Sequence, residues 1–88
     1  MAKFSVRIKK SARKELASIA TKADRQRIVK RINSLADNPR PPAASKLSGR
    51  ERYRIRQGPY RILYTIDDTV LTVYVIRIGD RKNVYRNL

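Results

Sequence analysis

The chain has 88 residues, enough for one small domain with one modest core and no second one. It has no cysteine and no histidine, which excludes disulfide staples, thiolate metal sites and the commonest general acid/base. Lys and Arg total 22 against 7 acidic residues, a formal net charge of +15, so the domain will concentrate near polyanions. Twelve basic residues fall in 1–40 and ten in 41–88, so the charge belongs to the folded body. No apolar run approaches membrane-spanning length and the first residues do not form a secretory signal, so the expectation is a cytoplasmic protein with no membrane partner.

In chain order, Met1 to Lys10 alternates. Phe4, Val6 and Ile8 lie on one side and Ser5, Arg7 and Lys9 on the other, a strand with one buried face. Ser11 reads as a helix N-cap, with Glu15 in the first turn where negative charge is favourable. Ala12, Leu16, Ile19 and Ala20 then recur at helical spacing. Asp24 reads as the cap of a second helix, in which Ile28, Ile32, Leu35 and Ala36 form a continuous apolar stripe. Asn38-Pro39 ends it, because the residue before proline is pushed out of the helical region. Arg13, Lys14, Lys22, Arg25, Arg27, Lys30 and Arg31 are read mainly as a solvated outer face. Pro39 to Gly49 reads as an ordered loop anchored by Leu47.

From Tyr53 onward the pattern is an antiparallel meander. Gly58-Pro59 and Asp67-Asp68-Thr69 cut it into three runs rich in Ile, Val, Leu, Tyr and Thr. A turn at Gly58-Pro59 pairs Arg56 with Arg61, Ile55 with Ile62, Arg54 with Leu63 and Tyr53 with Tyr64. Period two then puts Tyr53, Ile55, Ile62, Tyr64 and Ile66 on one side of the sheet. Arg54, Arg56 and Arg61 fall on the other, although like charges opposite one another cost about 0.2–1 kcal/mol. The third run, Val70 to Ile78, is apolar on both alternating sets and reads as a central strand ended by Gly79. The expected fold is α+β, an antiparallel sheet of order β-α-α-β-β-β with a helical hairpin on one face. Its other face holds a hollow floored by Leu63, Tyr74 and Ile76 and rimmed by Arg54, Arg56 and Arg61. Tyr53, Tyr60, Tyr64 and Tyr74 are read as core or core-edge residues.

This layout resembles the RelE/ParE toxin superfamily over nearly the whole chain, 1–88, taken as a single domain. The resemblance rests on Lys46-Leu47-Ser48-Gly49, Tyr53-Arg54-Ile55-Arg56, Gly58-Pro59-Tyr60-Arg61-Ile62-Leu63-Tyr64 and Ile78-Gly79-Asp80-Arg81-Lys82-Asn83-Val84-Tyr85. Basic strand residues followed by a C-terminal arginine and tyrosine look more like the RelE branch. That resemblance implies a type II toxin that enters the ribosomal A site and cuts mRNA by attack of the 2′-hydroxyl on the adjacent phosphate, without metal or cofactor. It also implies a cognate acidic antitoxin (RelB-like), with the free toxin monomeric and the complex hetero-oligomeric. Family function maps onto Arg61, Arg81 and Tyr85 as catalytic residues and Arg54, Arg56, Lys46 and Lys82 as RNA-binding ones. RelE-like toxins often carry lysine where this chain has Arg54 and Arg56. Arginine grips phosphate but stays protonated, so Tyr85, Lys82 and Lys46 remain alternatives for the base, as does distortion of the message into an in-line geometry. The other readings are a ParE-like inhibitor of DNA gyrase and a basic module that binds RNA or antitoxin without cutting.

Overall fold

A computed structural model describes residues 3–47 and 52–80. In order, the elements are β1 (Ser5–Ile8), α1 (Lys10–Ala17), α2 (Lys22–Ser34), β2 (Ser45–Lys46), β3 (Tyr53–Gln57), β4 (Tyr60–Asp67) and β5 (Thr72–Asp80). They build one five-stranded sheet in the order β1-β5-β4-β3-β2. The α+β fold with two helices against one sheet face is as expected. The sheet is mixed, however: β1 runs parallel to β5, with Val6 opposite Val73 and Ile8 opposite Val75. The helical hairpin is the crossover that a parallel pair requires. The short strand β2 also replaces part of the expected loop, adding an edge beside β3.

The register of the first hairpin is the one read from period two. Tyr53, Arg54, Ile55 and Arg56 face Tyr64, Leu63, Ile62 and Arg61. Gly58 has φ of +59°, and a positive φ at the first central position of a two-residue loop matches a type II′ turn, which carries the right twist for a hairpin. The second hairpin is longer than expected. Asp67 Oδ1 accepts from the backbone N–H of Thr69 (2.9 Å) and Val70 (3.2 Å), and Leu71 takes a left-handed φ of +48°. The strand therefore starts at Thr72, and Val70 is 63% exposed rather than part of it. Gly79 does not end the strand; it pairs with Arg61 inside β5.

The core lies between the helices and one sheet face. Ala12, Ile19, Ile28, Ile32 and Leu35 pack against Ile55, Ile62, Tyr64, Val73, Val75 and Ile78. Alternation along β5 alone puts Ile78 with Tyr74 rather than with Val75. A β-bulge reverses this: Leu63 pairs with Arg77 but Tyr64 with Val75, so Ile76 is the extra residue and Ile78 returns to the core side. Neither helix is capped as expected. α1 begins at Lys10 after Lys9, α2 begins at Lys22 after Thr21, and neither capping residue bonds through its side chain. Asp24 sits inside the first turn of α2, 3.5 Å from Arg27. Arg25 donates to the carbonyls of Ile19 and Ala20 and so fastens the link between the helices. Arg31 donates to Gln57 Oε1 at 3.3 Å, tying α2 to β3. Both are structural contacts for residues assigned to the solvated face.

Tyr64 is fully buried, stacks on Tyr53 with ring centroids 5.7 Å apart, and donates its hydroxyl to the Pro39 carbonyl at 2.7 Å. Burial pushes its pKa up to about 12. The unfolded chain loses this proton near pH 10 while the folded chain keeps it, so the stability it contributes is complete below pH 10 and is lost as pH rises through about 12. Urea melts should show wild type losing more stability than Tyr64→Phe between neutral pH and pH about 11. Equal losses in the two proteins would show that Tyr64 is not the group responsible.

Candidate functional site

The sheet face turned away from the helices carries the arginines. Register assigns it four rows, the last of which, Ser5, Thr72 and Asp67, carries no arginine. The first is Arg56, Arg61 and Gly79; the second is Ser45, Arg54, Leu63 and Arg77; the third is Thr65, Tyr74 and Arg7. Successive rows are two residues apart along a strand, about 7 Å. The same alternation that buries Ile55, Ile62 and Tyr64 forces their neighbours Arg54, Arg56, Arg61 and Leu63 onto this face.

Arg61 is the unusual member. It is only 8% exposed, the sole buried charged residue among those described, and its Nε is buried with no hydrogen-bond partner. A buried guanidinium is expensive unless paired. Among the described residues no carboxylate meets it: Asp80 stands opposite Tyr60, one position off Arg61's row. Gly79 lies directly across and has no side chain to fill the space beside it. Arg56 is exposed and Arg54 half-buried, so the cations grade from solvent into the sheet. This arrangement can grip a phosphate from one side with planar, bidentate donors.

Other expected site residues fall differently. Lys46 pairs with Tyr53, which puts it on the helix-facing side at the outer edge of the sheet, apart from the Arg54 row. Arg81, Lys82 and Tyr85 lie outside the described residues. The expected hollow is closed at its floor, since Leu63 is completely buried and Ile76 half-buried. Tyr74 is not a core residue: it is 39% exposed, although β5 is an interior strand flanked by β1 and β4.

Two further features were missed. Arg52 is half-buried, with Nη1 buried and unpartnered among the described residues. The spacing Arg52, Arg54, Arg56 was the available signal, since period two extends the arginine row by one position. Arg40 forks onto Asp68 at 3.0 and 2.8 Å, donates to the Tyr53 hydroxyl at 3.1 Å and lies over the Tyr53 ring. This fork holds the Asp68 carboxyl below its usual range and joins the loop after α2 to the β4–β5 turn. No local pattern could announce a contact between residues 28 apart in sequence.

Residues 6–85 match the family model of the ParE toxin of type II toxin–antitoxin systems, parDE. The chain is 40% identical over 45 residues to Toxin RelG of Mycobacterium tuberculosis, a stretch that is 51% of this chain and 49% of the relative. It thus spans about half the length of that curated relative. Its fold is similar to the archaeal RelE–RelB complex from Pyrococcus horikoshii, with TM-score 0.80, 27% identity, and 94% of this chain and 99% of that one covered. A RelBE toxin–antitoxin complex from Mycobacterium tuberculosis gives 0.79 and 27%, covering 90% and 99%. The isolated RelE toxin of E. coli gives 0.77 and 28%, covering 93% and 90%. The chain belongs to the ParE toxin family of type II toxin–antitoxin systems and has the RelE-like fold.

Proposed function

We propose that this toxin is a ribosome-dependent endoribonuclease that cuts mRNA in the A site and so inhibits translation in the cytoplasm. The observation that carries the reading is Arg61, a buried guanidinium with an unpartnered Nε in a row of arginines beside a glycine. A folded domain keeps such a group at a cost, and an anion that arrives during function repays it. In the proposed reaction the 2′-oxygen attacks the adjacent phosphorus, gives up its proton to a base, and the bond to the 5′-oxygen breaks as that oxygen takes a proton. Arg61 and Arg81 stabilise the charge on the phosphorane, and Arg54 and Arg56 hold the backbone. Lys82, and Lys46 reaching round the outer edge of the sheet, add RNA contacts, and Tyr85 places or deprotonates the reacting nucleotide.

Two of the similar solved structures are RelE–RelB type complexes. By that likeness, this toxin is neutralised by a cognate acidic, RelB-like antitoxin. With a net charge of +15, association should be steered electrostatically. Stopped-flow mixing is expected to show an association rate that falls by about tenfold or more from low to high salt. A rate independent of salt would remove the electrostatic partner.

A second reading is favoured by the family model itself, which is that of ParE. A ParE-like toxin would inhibit DNA gyrase and leave RNA intact. Purified toxin assayed in parallel for translation of a defined message and for supercoiling by gyrase separates the two. Lost translation with intact supercoiling supports the nuclease; the reverse supports the gyrase inhibitor.

A further inference from the structure

Tyr74 is the side chain on the arginine face that phosphate binding leaves unexplained. It sits on an interior strand, between β1 and β4, yet 39% of it meets solvent. Its cross-strand neighbours are Arg7 on β1 and Thr65 on β4, a cation and a hydroxyl rather than apolar groups. Arg7 and Thr65 are an exposed and a half-buried residue, so neither closes over the ring. An open cavity of about 860 Å³ adjoins it, lined by Arg7 and Tyr74, by the end of β4 from Thr65 through Ile66 to Asp67, by Thr72 and by the turn that follows β4. The row is four residues along β4 from Arg61, about 13 Å at strand rise.

We infer that Tyr74 is a stacking platform for a nucleobase of single-stranded RNA, with Arg7 on the adjoining phosphate, next to the segment held at Arg54 and Arg61. This rests on the RNA-cleaving reading and extends its substrate site. Every base offers a π-face, so a tyrosine with a cation beside it binds single strands with little sequence preference. Two carboxylates also line the cavity: Asp67 in the row next to Tyr74, opposite Thr72, and Asp68 in the turn. Asp67 is occupied by the N–H groups of Thr69 and Val70, and Asp68 is neutralised by the Arg40 fork. The cations run from Arg56 through Arg61 and Arg54 to Arg7, and the face turns acidic one row beyond Tyr74, at Asp67. Cations that lead to an exposed ring suit a single-stranded polyanion, whose phosphates and bases they meet in turn.

The test uses purified toxin and a fluorescent RNA octamer carrying 5-iodouridine. Tyr74→Leu removes the ring but keeps apolar bulk, and is expected to weaken binding about 5- to 100-fold. Tyr74→Phe keeps the π-face and should bind within about twofold of wild type. Arg7→Gln should lower the salt slope of binding by about 0.7, a quantity that Tyr74→Leu leaves unchanged. Irradiation should crosslink the octamer to Tyr74. Wild-type affinity in Tyr74→Leu with no crosslink at Tyr74 overturns the platform. So does a loss of antitoxin binding alone, which would assign this face to a protein partner. Thermal melts of each variant show whether the fold is kept, and Tyr74→Phe decides the matter if Tyr74→Leu unfolds: a Phe variant with no crosslink at position 74 also overturns it. Cleavage on programmed ribosomes, run alongside, judges the nuclease reading separately. A wild type that cuts, with Tyr74→Leu unchanged in binding, sinks only the platform; a wild type that never cuts sinks the nuclease reading.

Discussion

Arg61→Met is expected to cut mRNA about a hundred- to a thousandfold more slowly than wild type in single turnover on programmed ribosomes, while folding at least as stably. Both halves come from one observation. Arg61 is buried, and its Nε finds no partner among the described residues. A charge in that state opposes folding, so an apolar side chain of similar length removes a cost. A charge aimed at a developing oxyanion lowers the barrier more than it helps ground-state binding. Ribosome binding should therefore change little. Arg54→Ala is expected to do the opposite, weakening binding and its salt dependence while sparing the rate at saturation. A wild-type cleavage rate in Arg61→Met would end the catalytic assignment. A large loss of stability would show instead that Arg61 holds the sheet together.

Glu15→Ala is expected to destabilise the fold by about 1.5–3 kcal/mol, more than most surface changes, as read by urea denaturation. β1 stops at Ile8 opposite Val75, but β5 continues to Asp80. Beyond Val75 the edge of β5 has lost its neighbour. Glu15 reaches that edge from α1: Oε1 accepts from the Ile78 N–H at 3.0 Å and Oε2 from Arg77 Nε at 3.3 Å. Both side chains are mostly shielded, at 30% and 22% exposure, so solvent replaces these bonds poorly. Glu15→Gln keeps one acceptor and should cost about half as much. Equal stability of Glu15→Ala and wild type would mean that water serves this edge as well as the carboxylate does.

These cases show where the sequence was legible. The β3–β4 pairing could be read because a two-residue turn and strict alternation leave only one register that buries Ile55, Ile62 and Tyr64 together. The arginine face follows from the same alternation. Glu15 looked like a helix-terminus charge because local rules see only the helix it sits in; its partners are 62 and 63 residues away. The parallel pairing of β1 was hidden for a similar reason, since one amphipathic strand reads the same in either direction. Ile78 was misplaced because nothing in an unbroken apolar run marks a bulge. Residue type alone puts Tyr74 in the core; the polar neighbours brought by register, Arg7 and Thr65, set it apart.

The central proposal is cleavage of mRNA by this toxin on the ribosome. Its most direct test is primer extension across a defined message, with wild-type toxin added to the free RNA or to ribosomes halted with a known codon in the A site. A new end is expected within that codon, dependent on the ribosome and lost in Arg61→Met. An uncut message on the ribosome, from toxin that still arrests growth and blocks gyrase supercoiling, would contradict it.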